Sequence, residues 1–258
     1  MMNNGPVGVF DSGLGGISVL REIKKIMPDE KYIFYGDSLN APYGTRTDED
    51  VFGLTHCVFE KLMNKGVKAV VIACNTATSV AVRRLRAEYP DVPVIGIEPA
   101  IKPAAEQNRG GRVVVMATPV TLRRPKFVNK MNIYSEIAEI IPMPAPEIVE
   151  YVESGRLHDE GLEIYVKGLF SRLDGRPADA VVLGCTHFPF ASDIIRKAAG
   201  PQAKLYDGSA GTARELRRRM IENDLLCDGT EESTVEIINS AGEEQAELSR
   251  KLFTGALS

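Results

Sequence analysis

The sequence predicts an α/β protein made of two pseudo-symmetric domains, each a mostly parallel sheet flanked by helices, with the active site in the cleft between them. Two observations carry this expectation. Short apolar runs alternate with segments of helical periodicity along the chain, which is the pattern of βαβ units. In addition, Ala69-Val70-Val71-Ile72-Ala73-Cys74-Asn75 returns as Ala180-Val181-Val182-Leu183-Gly184-Cys185-Thr186, with its cysteine in the same place. The separation is too long for a solenoid repeat, so the chain reads as two related halves facing each other.

Taken in order, Val7-Gly8-Val9-Phe10 reads as a first buried strand. Asp11 to Gly16 turns the chain into a helix through Ile26, and Tyr32 to Tyr35 is the next strand. A polar loop from Gly36 to Arg46 precedes a helical pattern from Asp48 to Lys65. Ala69 to Ala73 is a third strand ending at Cys74, and Val94 to Ile97 a fourth. The second half varies this theme. Val113 to Met116 leads to Ala117-Thr118-Pro119, Ala180 to Leu183 leads to Cys185, and Leu205-Tyr206 is a further strand. The tail holds a strand-like Thr234 to Ile238 and a helix-like Glu243 to Phe253. With crossings at Glu98-Pro99 and Asp207-Gly208-Ser209, residues 1–97 form the first α/β domain, completed by the tail 207–258. Residues 98–206 form the second.

Composition excludes several function classes. Of 258 residues, 44% are hydrophobic and 26% charged, which supplies a globular core and argues against disorder. A net charge of −4 makes nucleic acid an unlikely partner. The stretch Met1-Met2-Asn3-Asn4-Gly5 lacks the basic and apolar regions of a leader. No apolar run approaches the roughly 18 residues of a membrane span, so the expected location is cytoplasmic, where thiols stay reduced. The four cysteines Cys57, Cys74, Cys185 and Cys227 form no C-x-x-C pair, so no metal site is expected.

In parallel sheets, ligands bind at the carboxyl ends of strands, where Cys74, Cys185, Asp11 and Thr118 all fall. A single cysteine beside an apolar strand is most often a small buried hydrophobe. Two at equivalent positions, each followed by polar residues, point to chemistry instead. Inverting a carbon centre requires removing a proton from one face and returning one to the other, and two thiols on opposite faces solve that geometry. A thiol's unperturbed pKa of about 8.5 needs only modest tuning, with Asp11 and His187 the tuners. The turn Gly13-Leu14-Gly15-Gly16 fails the dinucleotide pattern because Ser18 occupies the third glycine position. Asn75-Thr76 and Thr186-His187 are expected to open helices after the cysteines and to offer donors to an anionic substrate. The arginine runs at 83–86 and 214–219 read as solvated helix faces. On residues alone, an isomerase of an acidic metabolite and a non-catalytic binder of one both stay open.

The motifs F-D-S-G-L-G-G (10–16), Y-G-D (35–37), P-Y-G (42–44), A-C-N-T-A (73–77), V-I-G-I-E-P (94–99) and L-G-C-T-H (183–187) occur in order. With them the chain resembles, over nearly its whole length, the cofactor-independent glutamate racemases of bacterial cell-wall synthesis. The resemblance implies glutamate as substrate, no metal, nucleotide or pyridoxal phosphate, no membrane partner, and a homodimer. It implies that Cys74 serves the face of the D-enantiomer with help from Asp11. Cys185 then serves the face of the L-enantiomer with help from His187. It places substrate contacts at Asp11, Ser12, Tyr43, Gly44, Asn75, Thr76, Thr118, Thr121, Thr186 and His187, and it matches Glu153 to a further acid of the family. The related aspartate racemases carry Glu where this chain has His187, which favours glutamate. Two stretches depart from the family pattern: Met143-Pro144-Ala145-Pro146 replaces a cysteine-containing stretch ahead of Glu153, and Phe188 replaces a Tyr.

Overall fold

The computed structural model describes residues 4–257. Met1, Met2 and Asn3, part of the stretch read above as lacking a leader, and Ser258 lie outside the described residues. The chain divides into two compact units: Met1–Glu98 with Ser209–Leu257, and Pro99–Gly208.

The first unit is built from β1 (Val7–Asp11), α1 (Ile17–Ile26), β2 (Tyr32–Gly36), α2 (Asp48–Asn64), β3 (Ala69–Ile72), α3 (Asn75–Glu88) and β4 (Val94–Gly96). The second carries α4 (Ile101–Gln107), β5 (Arg112–Ala117), α5 (Pro119–Arg123), α6 (Pro125–Tyr134), β6 (Glu139–Pro144) and α7 (Glu147–Glu153). It continues with α8 (Glu160–Phe170), β7 (Ala180–Leu183), α9 (Ser192–Ala199) and β8 (Lys204–Asp207). The chain then returns to the first unit with α10 (Ser209–Glu222), β9 (Val235–Asn239) and α11 (Glu243–Thr254).

Every strand pair is parallel, as the alternation of apolar runs and helical segments predicts. The first sheet has the order β4-β3-β1-β2-β9 and the second β6-β5-β7-β8. Read from the opposite end, the second sheet is β8-β7-β5-β6, which repeats β4-β3-β1-β2 strand for strand. The sequence repeat around the two cysteines is therefore a repeat of topology. Cys74 follows β3 and Cys185 follows β7, each next to the strand that opens its unit.

Burial follows from the helices on both faces. All residues of β1, β2, β3 and β7 are buried, which is why these strands read as continuous apolar runs and not as alternating ones. The outer strand β9 is mostly half-buried and pairs with β2 from Tyr32↔Val235 to Gly36↔Asn239. In the first unit one core cluster joins Phe10, Phe59, Leu62, Val70 and Ile72 with Leu85 and reaches Cys74 and Tyr43. In the second, Val113, Val115, Ala180 and Val182 pack with Ile101 and Phe127. These cores fix the strand ends from which the functional side chains project.

Candidate active site

In the first unit, β1 ends at Asp11, which is 1% exposed. Its Oδ1 accepts the Gly13 N–H at 3.0 Å, so the glycine-rich turn folds around this carboxylate. Gly16 is required by that closeness: a Cβ there would meet the Asp11 Cβ at 2.6 Å and Oδ2 at 3.0 Å. The Ser12 hydroxyl lies 3.2 Å from Asp11 Oδ1 and 3.2 Å from Cys74 Sγ. Its single proton can serve only one of them at a time, so Ser12 links carboxylate and thiol.

Cys74 is buried and is the N-cap residue of α3, its carbonyl accepting the Thr78 N–H at 2.9 Å. The positive end of the helix dipole therefore lies beside its side chain and favours negative charge there. Asn75 and Thr76 form the first turn of the same helix, as expected. Tyr43 and Gly44 lie in a short 3-10 turn, Tyr43–Thr45. The Tyr43 ring is 1% exposed and its hydroxyl donates to Asp37 Oδ2 at 2.7 Å. Burial first, then the Asp37 carboxylate, push this phenol's pKa far up, so it stays protonated.

In the second unit, Cys185 follows β7 and is half-buried. Gly184 lets the backbone pass β5 closely. Its N–H donates to the Met116 carbonyl at 2.7 Å, and a Cβ would meet that oxygen at 2.6 Å. His187 Nδ1 stands 3.5 Å from Cys185 Sγ, and Nε2 stands 2.5 Å from Glu153 Oε1. Thiol, imidazole and carboxylate thus form a chain. Burial opposes the imidazolium, but Cys185 and Glu153 outweigh it and hold the His187 pKa well above 6.5. Thr118 caps α5, its hydroxyl 2.9 Å from that of Thr121. Thr186 is buried.

One expectation is corrected. Thr186 and His187 do not open a helix comparable to α3. A 3-10 turn, Phe188–Ala191, follows them, with Phe188 N–H donating to the Cys185 carbonyl at 3.1 Å and Phe190 N–H to that of His187 at 3.1 Å. Pro189 lacks the N–H that an α-helical ladder needs at once, and α9 starts only at Ser192. The two cysteines are therefore alike in topology and unlike in surroundings. Cys74 has a helix N-terminus and Ser12, whereas Cys185 has a buried imidazole backed by a carboxylate.

The departures noted in the sequence do not disturb this arrangement. Met143 and Ala145 are buried, β6 pairs with β5 through Pro144, and α7 then ends at Glu153 against His187. Phe188 is fully buried and packs as core. The contact of Glu153 with His187 spans 34 residues and that of Ser12 with Cys74 spans 62, and residue patterning carried no signal for either. Among the described residues, no group of three or more His, Cys, Asp or Glu stands at metal-binding spacing.

Comparison with known proteins agrees in family and fold. A family model described as Asp/Glu/hydantoin racemase matches residues 8–216. A glutamate racemase of Clostridium perfringens is 46% identical over 253 residues, covering 98% of this chain and 97% of that one. The crystal structure of Escherichia coli glutamate racemase in complex with L-glutamate and the activator UDP-MurNAc-Ala superposes with a TM-score of 0.85 at 28% identity, covering 97% of this chain and 95% of that one. That of Francisella tularensis glutamate racemase in complex with D-glutamate gives 0.81 at 26%, covering 98% and 94%. The chain is a member of the Asp/Glu/hydantoin racemase family.

Proposed function

We propose that this protein is a glutamate racemase that interconverts L- and D-glutamate by two-base proton transfer, with Cys74 and Cys185 as the two proton-carrying groups. The single observation that carries the reading is the repeated strand–cysteine unit, in which each thiol lies beside its own proton-handling neighbour. Starting from D-glutamate, the Cys74 thiolate takes the α-proton and becomes a thiol. The electron pair left on the α-carbon spreads onto the α-carboxylate. The Cys185 thiol gives its proton to the opposite face and becomes a thiolate, and L-glutamate results. The reverse reaction exchanges the roles.

The unlike surroundings suit this division. At Cys74, the N-terminus of α3 favours the thiolate, and Ser12 connects it to Asp11. At Cys185, His187 stands between the thiol and Glu153 and is placed to take up and return a proton. Asn75, Thr76, Thr118, Thr121 and Thr186 supply donors to the substrate's carboxylates. D-glutamate so formed supplies the bacterial cell wall, the destination that the family resemblance gives for the product. A homodimer and a cytoplasmic location complete the proposal. Among the described residues, no helix is long and apolar enough to cross a membrane. Light scattering after size exclusion should give twice the chain mass.

In heavy water, the purified protein should place deuterium at the α-carbon of glutamate of either hand. Failure to exchange with glutamate, while aspartate exchanges or nothing does, would overturn the reading.

A further inference from the structure

The Y-G-D motif (35–37) has no role in the proton transfer proposed here, yet Asp37 is a buried carboxylate at 3% exposure. Burying such a charge is costly unless donors surround it. Its donors all come from the loop it opens. Tyr43 Oη donates at 2.7 Å, and Asn40 Nδ2 donates at 3.1 Å to each carboxylate oxygen. The Asp37 N–H donates to the Asp11 carbonyl at 2.9 Å, which ties the loop's origin to the end of β1.

The loop is held from outside as well. Asn239 Nδ2, at the end of β9, donates to Ser38 Oγ at 2.9 Å, and the Leu39 N–H donates to Ser240 Oγ at 3.0 Å. Arg46 Nε donates to the Asn40 carbonyl at 2.9 Å, closing the far end. Asp37 sits at the origin of this loop, and its shortest hydrogen bond goes to the Tyr43 hydroxyl, which lies among the residues expected to meet an acidic substrate.

We propose that Asp37 is a positioning residue. It holds the 38–45 loop in its substrate-binding form and engages the Tyr43 hydroxyl, so that the phenol oxygen is not a substrate ligand. This rests on the reading that the protein binds glutamate at Tyr43 and Gly44. The role predicts a split between KM and kcat, because the loop acts in binding and not in proton transfer.

The test is steady-state racemisation of both enantiomers by wild type, Asp37→Ala, Asp37→Asn, Tyr43→Phe and the Asp37→Ala/Tyr43→Phe double variant. Asp37→Ala should raise KM about tenfold for each enantiomer, with kcat changed less than about threefold. Asp37→Asn, which can still accept the Tyr43 proton, should recover most of the loss. Tyr43→Phe should raise KM about threefold alone and add nothing in the Asp37→Ala background, because the two groups act as a unit. If Asp37→Ala does not fold, Tyr43→Phe alone must still raise KM about threefold, with kcat changed less than about threefold, and an unchanged KM there overturns the role. An unchanged KM in Asp37→Ala, a fall in kcat without a rise in KM, or a full Tyr43→Phe penalty in the double variant would each overturn the role. A wild type that neither binds nor racemises glutamate would overturn the racemase reading itself, a different result from an active wild type with indifferent Asp37 variants.

Discussion

Replacing Glu153 with Gln keeps an acceptor at the His187 imidazole but removes its charge. In the native protein, Glu153 Oε1 stands 2.5 Å from Nε2, with the His187 side chain 7% exposed and that of Glu153 24% exposed. A hydrogen bond between charged partners contributes about 1.5–3 kcal/mol and a neutral one about 0.5–1.5 kcal/mol. The difference, about 1–1.5 kcal/mol, lies at the lower end here because Glu153 is partly solvated. At about 1.36 kcal/mol per tenfold, proton transfer at Cys185 should slow about 5- to 10-fold. L- and D-glutamate have equal free energies in water, so kcat/KM must fall by the same factor in both directions and cannot report the affected face. The kinetic isotope effect can. With α-deuterated L-glutamate, whose proton Cys185 removes, the effect on kcat/KM should rise in Glu153→Gln. With α-deuterated D-glutamate it should fall. The alkaline limb of the pH profile should also move to lower pH, because the carboxylate helps to hold the His187 pKa above 6.5. Equal isotope effects in variant and wild type, with an unmoved pH profile, would refute the Cys185–His187–Glu153 chain as a working unit.

Three further outcomes follow from the same geometry. Cys74→Ser and Cys185→Ser should each lower racemisation by about 10²–10⁴, whereas Cys57→Ser, exposed, and Cys227→Ser, half-buried, should racemise at near the native rate. Gly16→Ala should cost about 1–3 kcal/mol in urea unfolding and lower activity, because the new methyl meets Asp11 and Ala73 at 2.6–3.1 Å. The native-state pKa of His187 is raised, so its contribution to stability is full below about pH 6.5 and is lost as pH rises through the raised value. The stability gap between wild type and His187→Asn should accordingly be widest in mild acid and narrow in alkali.

Much of the scaffold was legible because buried parallel strands must be apolar on both faces. The stretches Val7–Phe10, Ala69–Ile72 and Ala180–Leu183 betray themselves as unbroken runs. The repeat was legible because each copy carries its cysteine at the strand end. β6 was not legible, since Pro142 and Pro144 suppress the strand signal and are tolerated only because β6 is an edge strand. Nor was the turn after Cys185, where Pro189 replaces a helical start with a 3-10 turn. The connections that distinguish the two thiols escape periodicity altogether. Ser12 meets Cys74, and Glu153 meets His187, only because separate strand ends and a short helix bring them together. Asp37 was visible within Y-G-D as a motif, but its hold on Tyr43 requires the turn between them to be seen.

The most direct measurement of the two-base claim follows early turnover of unlabelled L-glutamate in heavy water. Two thiols on opposite faces predict that the first D-glutamate formed carries solvent deuterium at its α-carbon, while the remaining L-glutamate is still unlabelled. Early D-glutamate carrying the substrate's own proton, or L-glutamate that exchanges before product appears, would mean that a single base handles both faces and would contradict paired roles for Cys74 and Cys185.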